Sequence, residues 1–345
     1  MDEIKKMDIS IPYYEDLSRI SNSNIGWFLN KGPSFLHKML SGEGEELNLP
    51  QLKRGTMIHE YLLQPEEFQK DYVVWDKNRP SSAQQEKFCQ ELSDSTEIEP
   101  NEAIISAYKA SYAVTNKSDD KILAEGLKIA SALKDYIDFK RSNDQRIMIT
   151  PYDVKNLQHI KSNVESHKLA NILLRHEFSN DDEELHHEFH INWEHIAILD
   201  KKMVKLPCKS LLDSVDFDFK NHICTLMDVK TTANIGTFQD SMNHYDYLRQ
   251  LCYYIMALQN YIVHVLRLDL SMWTFKAYIL AIEASGDNEV RVFEFDMDQV
   301  MSKEQLIVYT LDDIAWHFKN QICTLMDVKT TANIVTGKQI GRAHV

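Results

Sequence analysis

The N-terminal part of the chain places its apolar residues at helical spacing. Ser21, Asn22 and Ser23 offer a cap ahead of NIGWFL, and Gly32-Pro33 restarts the chain into SFLHKML. Between Leu52 and Leu63, Ile58, Tyr61 and Leu62 mark one face of another helix. Further helices are predicted over 84–93, 101–115, 119–140 and 151–174, and the polar stretch between Pro80 and Pro100 reads as a surface excursion. Near residue 185 the period changes. HHEFHINW, HIAILDKKMVKL, SLLDSVDFDF and HICTLMDVKTT are short runs rich in β-branched and aromatic residues, the texture of successive strands. A long amphipathic helix is predicted over 237–262. MWTFKAYILAIEA and EVRVFEFDM return to strand around a turn at Gly286-Asp287, and 298–319 is helical again. The order helices, strands, helix, strands, helix predicts an α/β (α+β) core with a helical elaboration on its N-terminal side. The expected divisions are a mostly helical region over 1–180, a sheet-bearing core over 181–317, and a separate tail over 318–345.

Composition narrows the class. The chain has 345 residues, 43% of them hydrophobic and 26% charged, as in an ordinary soluble globular protein. No apolar run approaches the ~18–20 residues that span a bilayer. The opening MDEIKKMDISIPYYEDL has no signal-peptide core, so a cytoplasmic location is expected, with no membrane partner. Cys89, Cys208, Cys224, Cys252 and Cys323 form no C-x-x-C pair and read as free buried thiols. A net charge of −14 argues against coating nucleic acid by bulk electrostatics, but not against meeting it in a local groove. The clusters Lys53-Arg54 and Lys201-Lys202, Lys205 and Lys209 read as solvated surface.

The chemistry concentrates in one hairpin. In LLDSVDFDF, Leu211, Asp213, Val215, Phe217 and Phe219 share a face, so Asp213 is a carboxylate in an apolar row. In the next strand Cys224, Leu226, Asp228 and Lys230 share a face. If Lys220-Asn221 is a two-residue loop, paired residue numbers sum to 441 and Asp213 falls opposite Asp228. Two facing carboxylates repel when half buried, and a divalent cation between them removes the conflict. Hard oxygen donors suit Mg²⁺ or Mn²⁺. Lys230, at the rim, is expected to stay protonated and to steady developing phosphate charge. A buried Asp–Lys–Asp ion network without chemistry fits the same pattern.

Asp213 followed by Asp228-Val229-Lys230 on the next strand resembles the pattern of the PD-(D/E)XK nucleases. RGTMIHEYLLQPEEF, residues 54–68, places Gly55 and His59 at i and i+4, similar to the G-x-x-x-H helix of the RecB-like branch. YDYLRQLCYY, residues 245–254, places Gln250 and Tyr254 at i and i+4, with Tyr247 three residues before Gln250, and resembles that branch's Q-x-x-x-Y helix. DVKTTANIGTF followed by this helix is similar to the RecE-type (exonuclease VIII-like) phage exonucleases. The resemblance covers roughly residues 15–300. It implies a restriction-endonuclease-like core, a central mixed sheet flanked by helices. It also implies a Mg²⁺-dependent (or Mn²⁺-dependent) deoxyribonuclease that digests one strand of a double-stranded DNA end for a single-strand annealing protein, in a bacterial or phage-infected cell. Carried over by residue, His59, Asp213 and Asp228 are metal ligands, with the Val229 carbonyl completing the shell. Lys230 is the catalytic lysine, and Gln250, Tyr254 and Tyr247 contact DNA or brace the site. Leu212 stands where the family often has Pro. A homo-oligomer is compatible with this by analogy. The competing expectations are a structure-specific endonuclease on the same fold and a catalytically silent DNA-binding or scaffold protein.

One string occurs twice. FKNHICTLMDVKTTANI at 219–235 returns at 318–334 as FKNQICTLMDVKTTANI. In the second copy Asp312 holds the relative place of Asp213, within a stretch that reads as a helix end, and no Q-x-x-x-Y helix follows Asp327-Val328-Lys329. The closing IGRAHV matches one reading frame of a common sequencing-library adapter. The expectation is that residues from about 318 onward are a chimeric tail and that the first copy carries the site.

Overall fold

The computed structural model describes residues 11–44, 50–95, 99–113, 116–174 and 182–320. In chain order the elements are α1 (Asn22–Lys31), α2 (Pro33–Leu40), α3 (Pro50–Leu63), α4 (Pro65–Asp71), β1 (Tyr72–Val74), α5 (Ala83–Asp94), α6 (Pro100–Ser111), α7 (Asp119–Ala132), α8 (Lys134–Arg141), β2 (Ile147–Ile149), α9 (Pro151–Ser166) and α10 (Lys168–Leu173). There follow β3 (Glu183–Leu199), β4 (Lys202–Asp218), β5 (Ile223–Thr232), α11 (Phe238–His244), α12 (Tyr247–His264), β6 (Thr274–Glu283), β7 (Val290–Phe295), α13 (Met297–Met301) and α14 (Glu304–Asn320). None of these helices is long and apolar enough to cross a membrane.

The chain divides into two compact units. One comprises the described residues within 66–156, the other those within 1–65 and 157–345. The division differs from a boundary near 180, because α3 with His59 belongs to the same unit as the sheet.

The smaller unit has its own core of Phe88, Cys89, Ala107, Ile122, Tyr136 and Ile137, and a parallel pair β1–β2. Phe88 and Cys89 are fully buried. The Pro80–Pro100 stretch is therefore not a surface excursion. The helical period of α5 turns Phe88, Cys89 and Leu92 inward while its charged residues face out.

The larger unit is built on a five-stranded mixed sheet in the order β3-β4-β5-β6-β7. All neighbours are antiparallel except β5 and β6, which run parallel and are joined by the α11–α12 crossover. This is the α/β core that the sequence pattern predicts, with the mixed sheet flanked by helices that the resemblance implies. The four strand-like runs between 185 and 232 make three strands. The turn between β3 and β4 is Asp200-Lys201, both residues at positive φ (52° and 62°), the backbone of a type I′ hairpin. Helix predictions are interrupted in four places: at Leu133 between α7 and α8, at His167 before α10, at Asp246 between α11 and α12, and at Ser302-Lys303 between α13 and α14. His167 caps α10 by accepting the Ala170 N–H.

α12 anchors the unit. Leu251, Cys252, Tyr253, Ile255 and Leu258 are buried in a core shared with Cys208, Leu226, Ala277 and Ile279 of the sheet and Ile307, Leu311 and Ile314 of α14. Tyr253 donates its hydroxyl to the Ile20 carbonyl at 2.6 Å. Ile20 in turn bridges to β4: its N–H donates to the Pro207 carbonyl and its carbonyl accepts from the Lys209 N–H. Lys209 is not solvated surface. It is 6% exposed, and its Nζ donates to the carbonyls of Tyr13 and Asp16.

Cys89, Cys208, Cys224 and Cys252 are buried free thiols; Cys323 lies outside the described residues. So does most of the second copy of the repeated string, including Asp327, Val328 and Lys329. What is described continues α14 through Asn320, with Lys319 paired to Asp200 at 2.9 Å. Asp312 lies inside that helix, 2.8 Å from His195.

Candidate active site

The β4–β5 register is the one the sequence arithmetic requires: Ser214 pairs with Met227 and Val215 with Leu226. The loop is longer than expected. The ladder closes at Asp218–Ile223, leaving residues 219–222 as the turn, with His222 at φ 54° and Asn221 held by the Asp218 carboxylate. Two residues added symmetrically leave the sum of paired numbers unchanged. Beyond Ser214 the strands part, and the Asp213 carboxylate accepts the Val229 N–H at 2.6 Å.

Asp228 is 1% exposed. Its Oδ1 accepts from Gln250 Nε2 at 3.0 Å, and its Oδ2 lies 2.5 Å from Lys230 Nζ. Gln250 Nε2 is also 3.0 Å from the Tyr254 hydroxyl, so one turn of α12 carries both members of the Q-x-x-x-Y pair to the end of β5. Tyr247, at the start of α12, lies under the Lys230 ammonium, which is 5.2 Å from its ring centre. Burial raises the Asp228 carboxyl to about 6, with Asp213 adding to the rise and Lys230 opposing it. For Lys230, burial pulls the ammonium down, but Asp228 and Asp213 more than offset this and its pKa ends above the ordinary lysine value.

His59 comes from α3. Its Nδ1 is 3.7 Å from Asp213 Oδ2. Burial, then the Lys230 charge, pushes its pKa down to about 4, so the ring is neutral at pH 7, the form that ligates metals. Gly55 explains the G-x-x-x-H spacing. A Cβ there would lie 3.1 Å from Thr231 Oγ1 on β5, so the glycine lets α3 pass close over the strand, one turn before His59. Gly55→Val should therefore push α3 outward. We expect a loss of about 1–3 kcal/mol in denaturant unfolding, together with weaker Mn²⁺ binding because His59 moves. An unchanged midpoint and affinity would mean that the helix has room to shift.

One member of the cluster escaped the sequence reading. Glu188 sits in β3 directly across from Asp213, where the ladder skips between the pairs His187–Ser214 and Phe189–Leu212. Its φ is 51°, a left-handed conformation inside a strand that costs about 1–2 kcal/mol for a non-glycine residue. One donor atom from each of His59, Glu188 and Asp213 lies within 4.8 Å of the others. Burial, then Asp213, Glu60 and Asp228, lifts the Glu188 carboxyl to about 8. The only prior signal was its place in HHEFHINW, which falls opposite Asp213 once β3 and β4 are known to form a hairpin. Backbone strain of this kind collects at functional sites.

Of the residues singled out from the sequence, the structure brings together His59, Asp213, Asp228, Lys230, Gln250, Tyr254 and Tyr247. It separates them into two groups. Asp213 and His59 group with Glu188, whereas Asp228 is engaged by Lys230 and Gln250. The donor set of imidazole and carboxylates fits a divalent cation that accepts nitrogen and oxygen.

No family model matches the chain, and no curated protein matches it. Among solved structures, a candidate exonuclease from Eubacterium rectale aligns over 93% of this chain and 88% of its own, at 10% identity and a TM-score of 0.47. The protein SSO0001 aligns over 84% of this chain and 98% of its own, at 11% identity and a TM-score of 0.23. At these TM-scores neither likeness bears on the fold or the activity.

Proposed function

We propose that the protein is a metal-dependent deoxyribonuclease of the PD-(D/E)XK type. The observation that supports this most directly is the convergence of His59, Glu188 and Asp213 beside the Asp228–Lys230 pair at the end of β5. A purely structural ion pair has no need of a neutral histidine and a strained glutamate at its side. His59, Asp213 and Glu188 would hold the cation, and Asp228 and the Val229 carbonyl are the further donors that the resemblance implies. A divalent cation bound there supplies Lewis-acid stabilisation of a phosphodiester and a more acidic water. Lys230 stays protonated and would place its charge beside the phosphoryl oxygens, where negative charge grows. Gln250 fixes the orientation of Asp228, and Tyr254 fixes Gln250.

The RecE-type resemblance narrows the substrate to double-stranded DNA ends and the product to single strands for an annealing protein. The test is digestion of a linear duplex, labelled at both ends, with Mg²⁺ and with EDTA, beside a covalently closed circle. Shortening of the linear duplex alone, and only with metal, supports the exonuclease. Cutting of the circle moves the reading to an endonuclease. No digestion with Mg²⁺ or Mn²⁺ leaves a DNA-binding protein.

A further inference from the structure

From the Lys230 ammonium an aromatic stack runs outward to solvent. Tyr247 lies under Lys230 with its ring centre 5.2 Å from Nζ. Tyr245 stacks on Tyr247, centroids 5.8 Å apart and planes inclined by 20°. The inner end is seated in the fold: Phe238 lies 6.0 Å from Tyr247, and Phe293 of β7 lies 5.4 Å from Phe238. The outer end is open, since Tyr245 is 60% exposed, with His244 set edge-on to its ring.

Residues i and i+2 do not face each other on a continuous helix. They do so here because Asp246 between them takes a left-handed backbone, φ 49°, which ends α11 and starts α12. Asp tolerates that conformation better than most residues, yet it still has a cost. Lys303 of the α13–α14 junction holds the Asp246 carboxylate at 2.8 Å, and Arg249 Nε lies 3.8 Å from it. A buried aromatic pair would be ordinary packing. An exposed ring, locked parallel to a second ring beneath a lysine charge, is the arrangement that stacks a planar ligand.

We propose that Tyr245 is a stacking platform for an unpaired nucleobase of the strand whose phosphate lies at Lys230. The inference rests on the deoxyribonuclease reading and adds a substrate preference: frayed or single-stranded ends engage better than closed duplex. Every base offers a π-face, so the platform is indifferent to sequence. Stacking of one base on one aromatic ring corresponds to roughly a 5- to 150-fold change in affinity.

The experiment uses the full chain in EDTA, so that no turnover occurs, and single-stranded oligonucleotides carrying 2-aminopurine at successive positions from one end. The wild type should quench the fluorophore at one register. Tyr245→Ala should lose that quenching and bind roughly 5- to 150-fold more weakly. Tyr245→Phe, which keeps the ring, should behave like wild type, and Tyr245→Leu, which keeps only the bulk, like Tyr245→Ala. With Mg²⁺ the Tyr245→Ala change should raise KM on frayed ends more than it lowers kcat. Equal quenching by wild type and Tyr245→Ala overturns the platform, as does a Tyr245→Phe variant as weak as Tyr245→Ala. Quenching that follows the ring in a protein that digests nothing would keep the platform and sink the nuclease reading. The two failures are thereby distinguishable.

Discussion

Lys230→Ala is expected to lower metal-dependent digestion of linear DNA by at least about 10²–10³-fold, the usual effect of deleting one preorganised group that stabilises transition-state charge. The side chain is 18% exposed and its Nζ lies 2.5 Å from Asp228 Oδ2. Both neighbouring carboxylates keep it charged, so no proton has to be found before the reaction. Lys230→Arg should not restore the rate. A planar, forked guanidinium cannot occupy the place of a compact ammonium between Asp228 and the Tyr247 ring without displacing one of them. Lys230→Ala also leaves the buried Asp228 carboxylate without its cation. Removing one partner of a buried pair costs about 3–5 kcal/mol when the remaining group stays charged. Asp228 already has its pKa raised to about 6, so in the variant it should take up a proton and recover part of that loss. Rates measured on linear duplex, with circular dichroism melts of each variant, separate lost chemistry from lost fold. A stably folded Lys230→Ala protein that digests DNA at the wild-type rate would remove Lys230 from the reaction.

How much of this was legible in the sequence depends on what each residue needed in order to be noticed. Asp213 stood out because it interrupts an apolar row with period 2, and the strand period carried the register to Asp228 even though the turn was two residues longer than supposed. His59, Gln250 and Tyr254 stand out only through the resemblance, whose G-x-x-x-H and Q-x-x-x-Y motifs they match; taken alone, each reads as an ordinary residue of an amphipathic helix. Glu188 had no such mark. It lies in a polar stretch, HHEFH, where a carboxylate breaks no pattern, and its importance comes from a left-handed backbone and a cross-strand neighbour. Neither is visible until β3 and β4 are paired. Lys209 misled for the converse reason. A lysine in a basic run reads as surface, and only the return of the Tyr13–Ile20 segment to β4 buries it under two carbonyls. The break at Asp246 was hidden too, because the apolar period runs through it and only the φ angle divides α11 from α12.

Divalent cation binding should strengthen as pH rises from 6 to 8, and the metal-free protein should lose stability over the wider range from about 4.5 to 8. The sign follows from Glu188. Its pKa is raised from 4.5 to about 8 in the folded chain, first by burial, then by Asp213, Glu60 and Asp228. The folded state therefore holds a proton that the unfolded state has released. The stability this represents is complete below about 4.5 and is lost as pH passes through 8. Asp228, raised to about 6, contributes in the same direction over the lower part of the range. A cation needs the ionised carboxylates, so binding expels the proton, and affinity should rise by up to about tenfold per pH unit for each proton displaced. His59 takes no part in the slope of binding: with a pKa of about 4 it is already neutral from pH 6 to 8. In the metal-free protein its lowered pKa opposes the stability trend between about 4 and 6.5, where the unfolded ring holds a proton that the folded ring has released. His59→Ala should thus weaken Mn²⁺ binding while leaving its pH dependence unchanged, whereas Glu188→Gln should weaken binding and flatten the dependence. Titration calorimetry in two buffers of different ionisation enthalpy counts the protons released, and melting curves with and without Mn²⁺ give the stability side. Equal affinity at pH 6 and pH 8 in the wild type would show that the cation displaces no proton from Glu188. A steep dependence that survives Glu188→Gln would move the proton to Asp228, whose bond to Gln250 and contact with Lys230 would then have to open when metal binds.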